Sequence, residues 1–355
     1  MLSLNLISKR HPNVYFRTEF KSFEQGSENS LIFTASCASA IIVVAVAAIM
    51  APIGLKVAAV ALLAGPHNFI EFRYFLSRLP ARWPIGICLF FIGSFMGLAL
   101  LSAAYIALMF AVYNEMLGYD FGRTLYGLWG SAVCIWTMFL VFQIERLSEA
   151  HRRPAIARAR VAGLGGLALL ALLNPLVFGA LLVYAHPLIS LAILDRELGR
   201  SRPHWRDGYR MCLALVPAVV VIFWWHLRDT HSCASDAIAS HILEQTGASV
   251  MPFLSNHFLL STLVFLDLLH YGVWLVAIPN WSAGWRRWQA KSIPLASVFP
   301  QLQNPIRLIT MAALVLALLL CISFSNNYIL TSQIYFVIAI MHVLAEIPYL
   351  IWASR

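Results

Sequence analysis

Apolar runs of 18 or more residues recur along this 355-residue chain. Each is long enough to cross the roughly 30 Å hydrocarbon core of a bilayer as a helix. Lipid offers no partner to an open backbone N–H or C=O, so a spanning segment must be a helix or a strand of a closed barrel. Unbroken apolar runs without period-two alternation read as helices. With 60% hydrophobic and 12% charged residues, the chain reads as all-α, a polytopic integral membrane helical bundle. About ten membrane helices are expected, near 31–50, 55–76, 84–113, 125–145, 160–173, 176–195, 211–227, 252–279, 307–326 and 333–352. The fifth, about 14 residues long, is short for the ~20 residues a crossing needs and reads as interfacial or re-entrant. Asn174 and Pro175 separate it from the sixth.

Two domains follow: a polar cytoplasmic tail over 1–29, and a single transmembrane helical domain over 30–355. The tail carries no cleavable signal pattern and is expected to touch the membrane surface through Tyr15, Phe16 and Phe20. Cys37, Cys88, Cys134, Cys212 and Cys321 fall in apolar helices and Cys233 in a loop, with no CxxC pair. They read as small buried hydrophobes rather than disulfides or a zinc site.

The net charge of +9 belongs to the loops, so no nucleic-acid partner is implied. With both termini cytoplasmic, 22 of the 25 Lys and Arg lie inside; Lys56, Arg123 and Arg228 lie outside. Such asymmetry is the positive-inside pattern, here assigned to a bacterial inner membrane. Trp281, Trp285, Arg286, Arg287 and Trp288 read as an interfacial anchor. The one sizeable outer segment, 228–251, is expected to hold a short amphipathic helix on the outer face. Gly93 and Gly97 have the GxxxG spacing that lets helices approach closely.

His67, His186, His270 and His342 sit deep in the second, sixth, eighth and tenth spans, all running in the same direction. Each lies nine or ten residues before its cytoplasmic end, about 14 Å at the helical rise, so four parallel helices present imidazole at one depth. Glu71 follows His67 by four and Glu346 follows His342 by four, while Asp267 precedes His270 by three, so each pair shares a helical face. Ionisable groups at membrane depth are costly and mark functional sites. Imidazole with carboxylate is the donor set of non-haem iron, manganese or zinc. The metal-ligand set expected is therefore His67, His186, His270, His342, Glu71 and Glu346. Glu71, Glu346 and Asp267 are expected to bridge, ligate or orient, as the acidic groups of the catalytic machinery. Pro66 and Pro187 adjoin two of the histidines and are expected to kink their helices. His257, about 20 Å of helix from His270, is expected to stand apart, and Asp195 to pair beside Arg196 and Glu197.

Gly65-Pro66-His67-Asn68-Phe69-Ile70-Glu71 resembles the Pro-His-Gly-x-x-Asp stretch of the Brp/Blh family of bacterial carotene-cleaving membrane oxygenases. Met341-His342 with Glu346 resembles that family's C-terminal Pro-His-Met segment, and Leu269-His270 its histidine-bearing penultimate region. Asn68 stands in place of the glycine, Glu71 in place of the aspartate, and no second histidine closely follows His270. The resemblance implies a histidine-held iron in a helical bundle and O2-dependent cleavage of a carotenoid.

The function expected is that of a membrane-bound, metal-dependent oxygenase or oxidoreductase. It would use mono- or dinuclear non-haem iron with O2 as co-substrate on an apolar isoprenoid or acyl chain, with membrane lipids around it and an electron-donor partner where the chemistry needs one. Two other classes fit the histidines: a b-type haem electron-transfer protein, with haem on histidine pairs, and a proton-coupled transporter. No Walker A loop, GxGxxG, HExxH, aspartate-rich diphosphate motif or HxxHH cluster occurs. The charge asymmetry makes one direct prediction. Cysteines introduced at Arg152 and Arg286 should react with a membrane-impermeant reagent from the same face, and labelling from opposite faces would overturn the layout.

Overall fold

The structure is a computed structural model that describes residues 12–80, 84–147, 154–230, 236–282 and 293–353. His231, Cys233 and the anchor residues Trp285, Arg286, Arg287 and Trp288 lie outside the described residues, as do the side chains of Tyr15, Phe16 and Phe20. Every long element is a helix: α1 (Pro12–Met50), α2 (Pro52–Ser77), α3 (Ile85–Tyr113), α4 (Tyr119–Leu147), α5 (Pro154–Leu173), α6 (Pro175–Ser201), α7 (Pro203–Leu227), α8 (Ala237–Gln245), α9 (Asn256–Gly272), α10 (Ile278–Trp281), α11 (Pro294–Val298), α12 (Gln303–Asn326) and α13 (Tyr328–Ala353). Nine segments among the described residues are long and apolar enough to cross a membrane. The chain is an integral membrane protein built as an all-α bundle.

Proline and small polar residues set the boundaries. Pro52, Pro154, Pro175 and Pro203 open helices at the first turn, where the missing N–H would have had no helical partner. Asn174 caps α6 by accepting from the Val177 amide at 3.4 Å, and Asp236 and Ser255 cap α8 and α9 in the same way. The Asn174–Pro175 boundary thus falls where the sequence places it. The fifth helix does not stay short. It starts at Pro154 and runs 20 residues, taking in Arg158 and Arg160. Likewise α1 begins at Pro12, inside the segment read as a tail, and α7 gains the turns from Pro203. Between 228 and 251, α8 is tucked in: Ala239, Ile242 and Leu243 are buried, and the helix packs on α2 and α13.

α9 is the central post. In its most apolar window 67% of residues are buried, against 22% in α1, α7 and α12. A wide π-type turn, Val273–Ala277, carries it into α10. α1 packs on α7, α3 on α4, and α4 on α5. On α3 the GxxxG pair faces α4: Trp136 lies across it, donating to the Gly93 carbonyl at 3.1 Å, in space a side chain at Gly97 would need. The C-terminal ends of α2, α6, α10 and α13 meet through Arg78, Glu197, Ser282, Tyr74 and Tyr349. We call this the basic end.

α2 and α12 approach backbone to backbone. A Cβ at Gly65 would stand 2.6 Å from the Ala317 carbonyl oxygen. Gly65→Ala should therefore push the two helices apart and destabilise the fold by roughly 1–3 kcal/mol, the usual cost of overpacking. Thermal unfolding in detergent would read it, and an unchanged midpoint would refute the close approach.

Candidate metal centre

The four histidines, His67 and His270 buried and His186 and His342 half-buried, come from four helices and meet at one level. Their rings form a closed circuit. The centroid of His67 lies 5.0 Å from His270 and 5.7 Å from His342; His186 lies 4.7 Å from His270 and 5.5 Å from His342. α2, α6, α9 and α13 run parallel here, as contacts beyond the histidines show; Tyr349 meets Tyr74, each seven residues after its helix's histidine. Arg78 and Glu197 each follow a site histidine by eleven residues and pair with one another at 2.5 Å. Trp274 packs on Tyr74 and Phe75, each beyond its helix's histidine in the same sense.

Two donor groups arise, with candidate ligand atoms in each within 4.8 Å of one another: His67, Glu71, His270 and His342, and then His186, His342 and Glu346. Glu71 and Glu346 lie against each other, and His342 Nε2 stands 3.0 Å from Glu71 Oε2. That separation lacks hydrogen-bond geometry, since both atoms have no hydrogen-bond partner. It does match two ligands of one ion: bonds of about 2.1 Å meeting at a right angle put donor atoms about 3 Å apart. His186 Nδ1 lies 3.1 Å from Glu346 Oε2, and the other Glu346 oxygen is 3.9 Å from His342 Nε2.

Six of the buried unpartnered atoms lie in the cluster. Both nitrogens of His270, both oxygens of Glu71, His342 Nε2 and Glu346 Oε1 are buried without a hydrogen-bond partner. The Pro187 carbonyl faces His270, but neither ring nitrogen is aligned with a partner. Each orphan costs about 1–3 kcal/mol when left dry, and they are gathered around one point. Two carboxylates in contact at 0% and 1% exposure need a cation or proton between them. Meanwhile His67 Nδ1 stands 3.2 Å from the Leu63 carbonyl, one helical turn back. Donating there fixes the tautomer and leaves the Nε2 lone pair for an ion. Tyr271 packs on His67 with centroids 4.5 Å apart. The donor set fits a transition-metal ion.

A cavity of about 100 Å³ adjoins the cluster, with all four histidines in its wall and Leu263, Val343 and Phe336 among its apolar lining. Asp267 lies in this wall but belongs to neither donor group. Its carboxylate is held by Lys56 Nζ at 2.6 Å. Lys56, counted above as an outer-loop charge, is a buried partner on α2. His257 stands apart as expected, against Thr230 and the Ile49 carbonyl. Asp195 is not paired beside Arg196; Arg206 and Arg210 of α7 hold it, at 2.8 and 2.9 Å. The sequence reading missed Glu197, which is 1% exposed and accepts from Tyr74, Arg78, Ser282 and Arg200. Compared with known proteins, the chain matches no protein-family model, no curated protein and no solved structure.

One neutral imidazole nitrogen binds one ion, so a pair of ions would divide the donors, with Glu71 and Glu346 spanning them. Metal analysis of purified variants should read that division. His67→Ala should empty the first group, His186→Ala the second, and His342→Ala should lower both. Asp267→Asn and His257→Ala should keep the wild-type content. Equal metal in the wild type and the His67, His186 and His342 variants would leave the histidines structural.

Proposed function

We propose that this chain is an integral-membrane oxidoreductase using non-haem iron, mono- or dinuclear, with O2 as co-substrate on an apolar isoprenoid or acyl chain such as a carotenoid. The observation that carries the reading is the closed circuit of four imidazoles with two carboxylates in contact and six orphan donor atoms turned toward them. The resemblance to the carotene-cleaving family belongs to the same proposal, as does placement in a bacterial inner membrane with both termini cytoplasmic.

Iron held here would supply the redox steps and a position for O2. The chain's own residues do the rest. His67, its tautomer set by Leu63, and His270, His186 and His342 offer neutral donors from four rigid helices. Glu71 and Glu346 balance the charge of one or two cations that would otherwise be stranded in a dry interior. The apolar side of the cavity, with Leu263, Phe336 and Val343, holds a hydrocarbon segment against the cluster and keeps bulk water away. Asp267 and Lys56 bring a polar, mutually neutralised end to the same cavity.

Ring geometry speaks against haem as the cofactor. A porphyrin plane between two axial histidines would have to separate rings that now stand edge to face, centroids 4.7–5.7 Å apart, beside a cavity of about 100 Å³.

Purified protein should contain iron in simple ratio to the chain, show no Soret band, and consume O2 only when a carotenoid or other long polyene is added. Glu71→Gln should abolish that uptake. A Soret-absorbing preparation would instead establish the haem reading. Metal-free protein that moves solute against a pH gradient would establish the transporter.

A further inference from the structure

A second opening leads to the same centre from the end opposite the basic one. It is a groove of about 460 Å³ formed by α3, α4, α6, α8 and α13. Val183, Gln245, Phe336 and Ile340 line both this groove and the histidine cavity. Four side chains are therefore a common partition, polar only at Gln245, whose amide donates to Ser332 at 2.9 Å. On α6, Leu176 lies in the groove, Val183 in the partition and His186 in the cluster. The ten residues between Leu176 and His186 set that path at about 15 Å.

The groove changes character along its length. Its mouth, at the C-terminal end of α3 and the N-terminal end of α4, carries Tyr113, Tyr119, Arg123 and, from α8, Glu244. Tyr119 is 72% and Tyr113 51% exposed. Tyrosines with an apolar body and a polar tip suit the headgroup level of a membrane. Arg123 and Glu244 bring one charge of each sign, and burial holds the nearby His241 imidazole below its ordinary range, so the mouth selects no net charge. Inward, Met109, Val183, Phe336 and Ile340 make the wall mainly apolar, and Gln245, the polar member of the partition, already donates to Ser332. The small cavity beyond the partition has room for part of one chain, not two.

We propose that this groove binds a single-chain amphiphile with an uncharged hydrogen-bonding head, a long-chain alcohol. The hydroxyl stays among Tyr113, Tyr119 and the Arg123–Glu244 mouth, and the chain passes Val183 and Phe336 towards the histidines. It follows that the reacting position lies at least about 15 Å along the chain from the head, the rise from Leu176 to His186. Reaction at that position rests on the oxidoreductase reading above; binding in the groove does not.

Photolabelling of the full chain in nanodiscs tests it. The probe is hexadecanol carrying a diazirine near its methyl end; the control is hexadecane with the same diazirine. The alcohol should label the α6 and α13 peptides containing Val183, Phe336 and Ile340 several-fold more than the hydrocarbon does. Val183→Trp should remove that labelling while metal content, measured on the same sample, stays at the wild-type value. Ile340→Trp closes the partition from the other wall and serves where Val183→Trp does not fold. Equal labelling by the two probes, labels spread over the lipid-facing sides of α3 and α12, or labels that survive both tryptophans would each overturn the proposal. Loss of metal in the wild type with groove labelling intact would instead overturn the oxidoreductase reading alone.

Discussion

Lipid offers no hydrogen-bond partner at the depth where this protein keeps its most polar groups, and the rest of the arrangement depends on that. A buried hydroxyl, imidazole or carboxylate in lipid must find its partner within the protein or remain an unpaid cost of a few kcal/mol. Most of the deep polar groups do find one. His67 takes a backbone carbonyl from its own helix, Asp267 takes Lys56, and Glu197 gathers four donors. The atoms left over on Glu71, His270, His342 and Glu346 are not scattered; they share one small volume. Other buried atoms without a partner are dispersed, on Ser102, Gln143, Trp205, Ser261 and Tyr328 among others; among the described residues, only at the histidine level do carboxylate and imidazole atoms of this kind gather, as a group that could hold a cation.

The partnered groups do structural work for the unpartnered ones. Lys56–Asp267 ties α2 to α9 on one side of the histidine level, and Arg78 and Tyr74 tie α2 to α6 at Glu197 on the other. Tyr349 adds α13 by donating to Tyr74 at 3.1 Å. Such pairs gain little net stability over apolar packing, but removing one partner strands a buried charge at a cost of about 3–5 kcal/mol. Their value here is register. A slip of one turn along any of these helices would break a pair and move an imidazole about 5.4 Å off the common level.

The helices and the depth of the four histidines were legible in the sequence, because run length and helical rise decide both. Glu71 and Glu346 were legible too, since a residue four positions on returns to the same face. Partners across helices were not. Asp267 looked like a third site carboxylate because it shares a face with His270, and only the fold shows Lys56 arriving from a segment 211 positions away. Glu197 looked interfacial among Asp195, Arg196 and Arg200, and nothing local says that it turns inward. One signal was present in α2 itself. Lys56, His67 and Arg78 are spaced by eleven residues, and Glu71 and Tyr74 fall between them at the four- and seven-residue positions after His67. Eleven residues at 100° each close three turns to within about 20°, so all five lie on one polar stripe. A lone polar stripe on an apolar helix faces the protein, which would have placed Lys56 and Arg78 with the site.

The same parallelism settles the helix whose length the sequence understated. Sites built from parallel helices require an odd number of crossings between successive ligand-bearing spans. Between α6 and α9 stands α7, and between α9 and α13 stands α12, one crossing each. Between α2 and α6 stand α3, α4 and α5. The first two are antiparallel, Gly86 meeting Leu147 at one end and Leu101 meeting Trp129 nearer the other. If α5 did not run the length of α4, α6 would run against α2, and Glu197 could not meet Arg78 while His186 meets the other rings. α5 instead runs against α4 from Arg160 beside Glu145 to Ala171 beside Gly127. Its glycine-rich middle, with Gly163, Gly165 and Gly166, forms contacts no closer than a side chain would tolerate. The polar chemistry of one face of the bundle thus depends on a helix that contributes no ligand: by running back along α4, α5 delivers His186 with the right polarity.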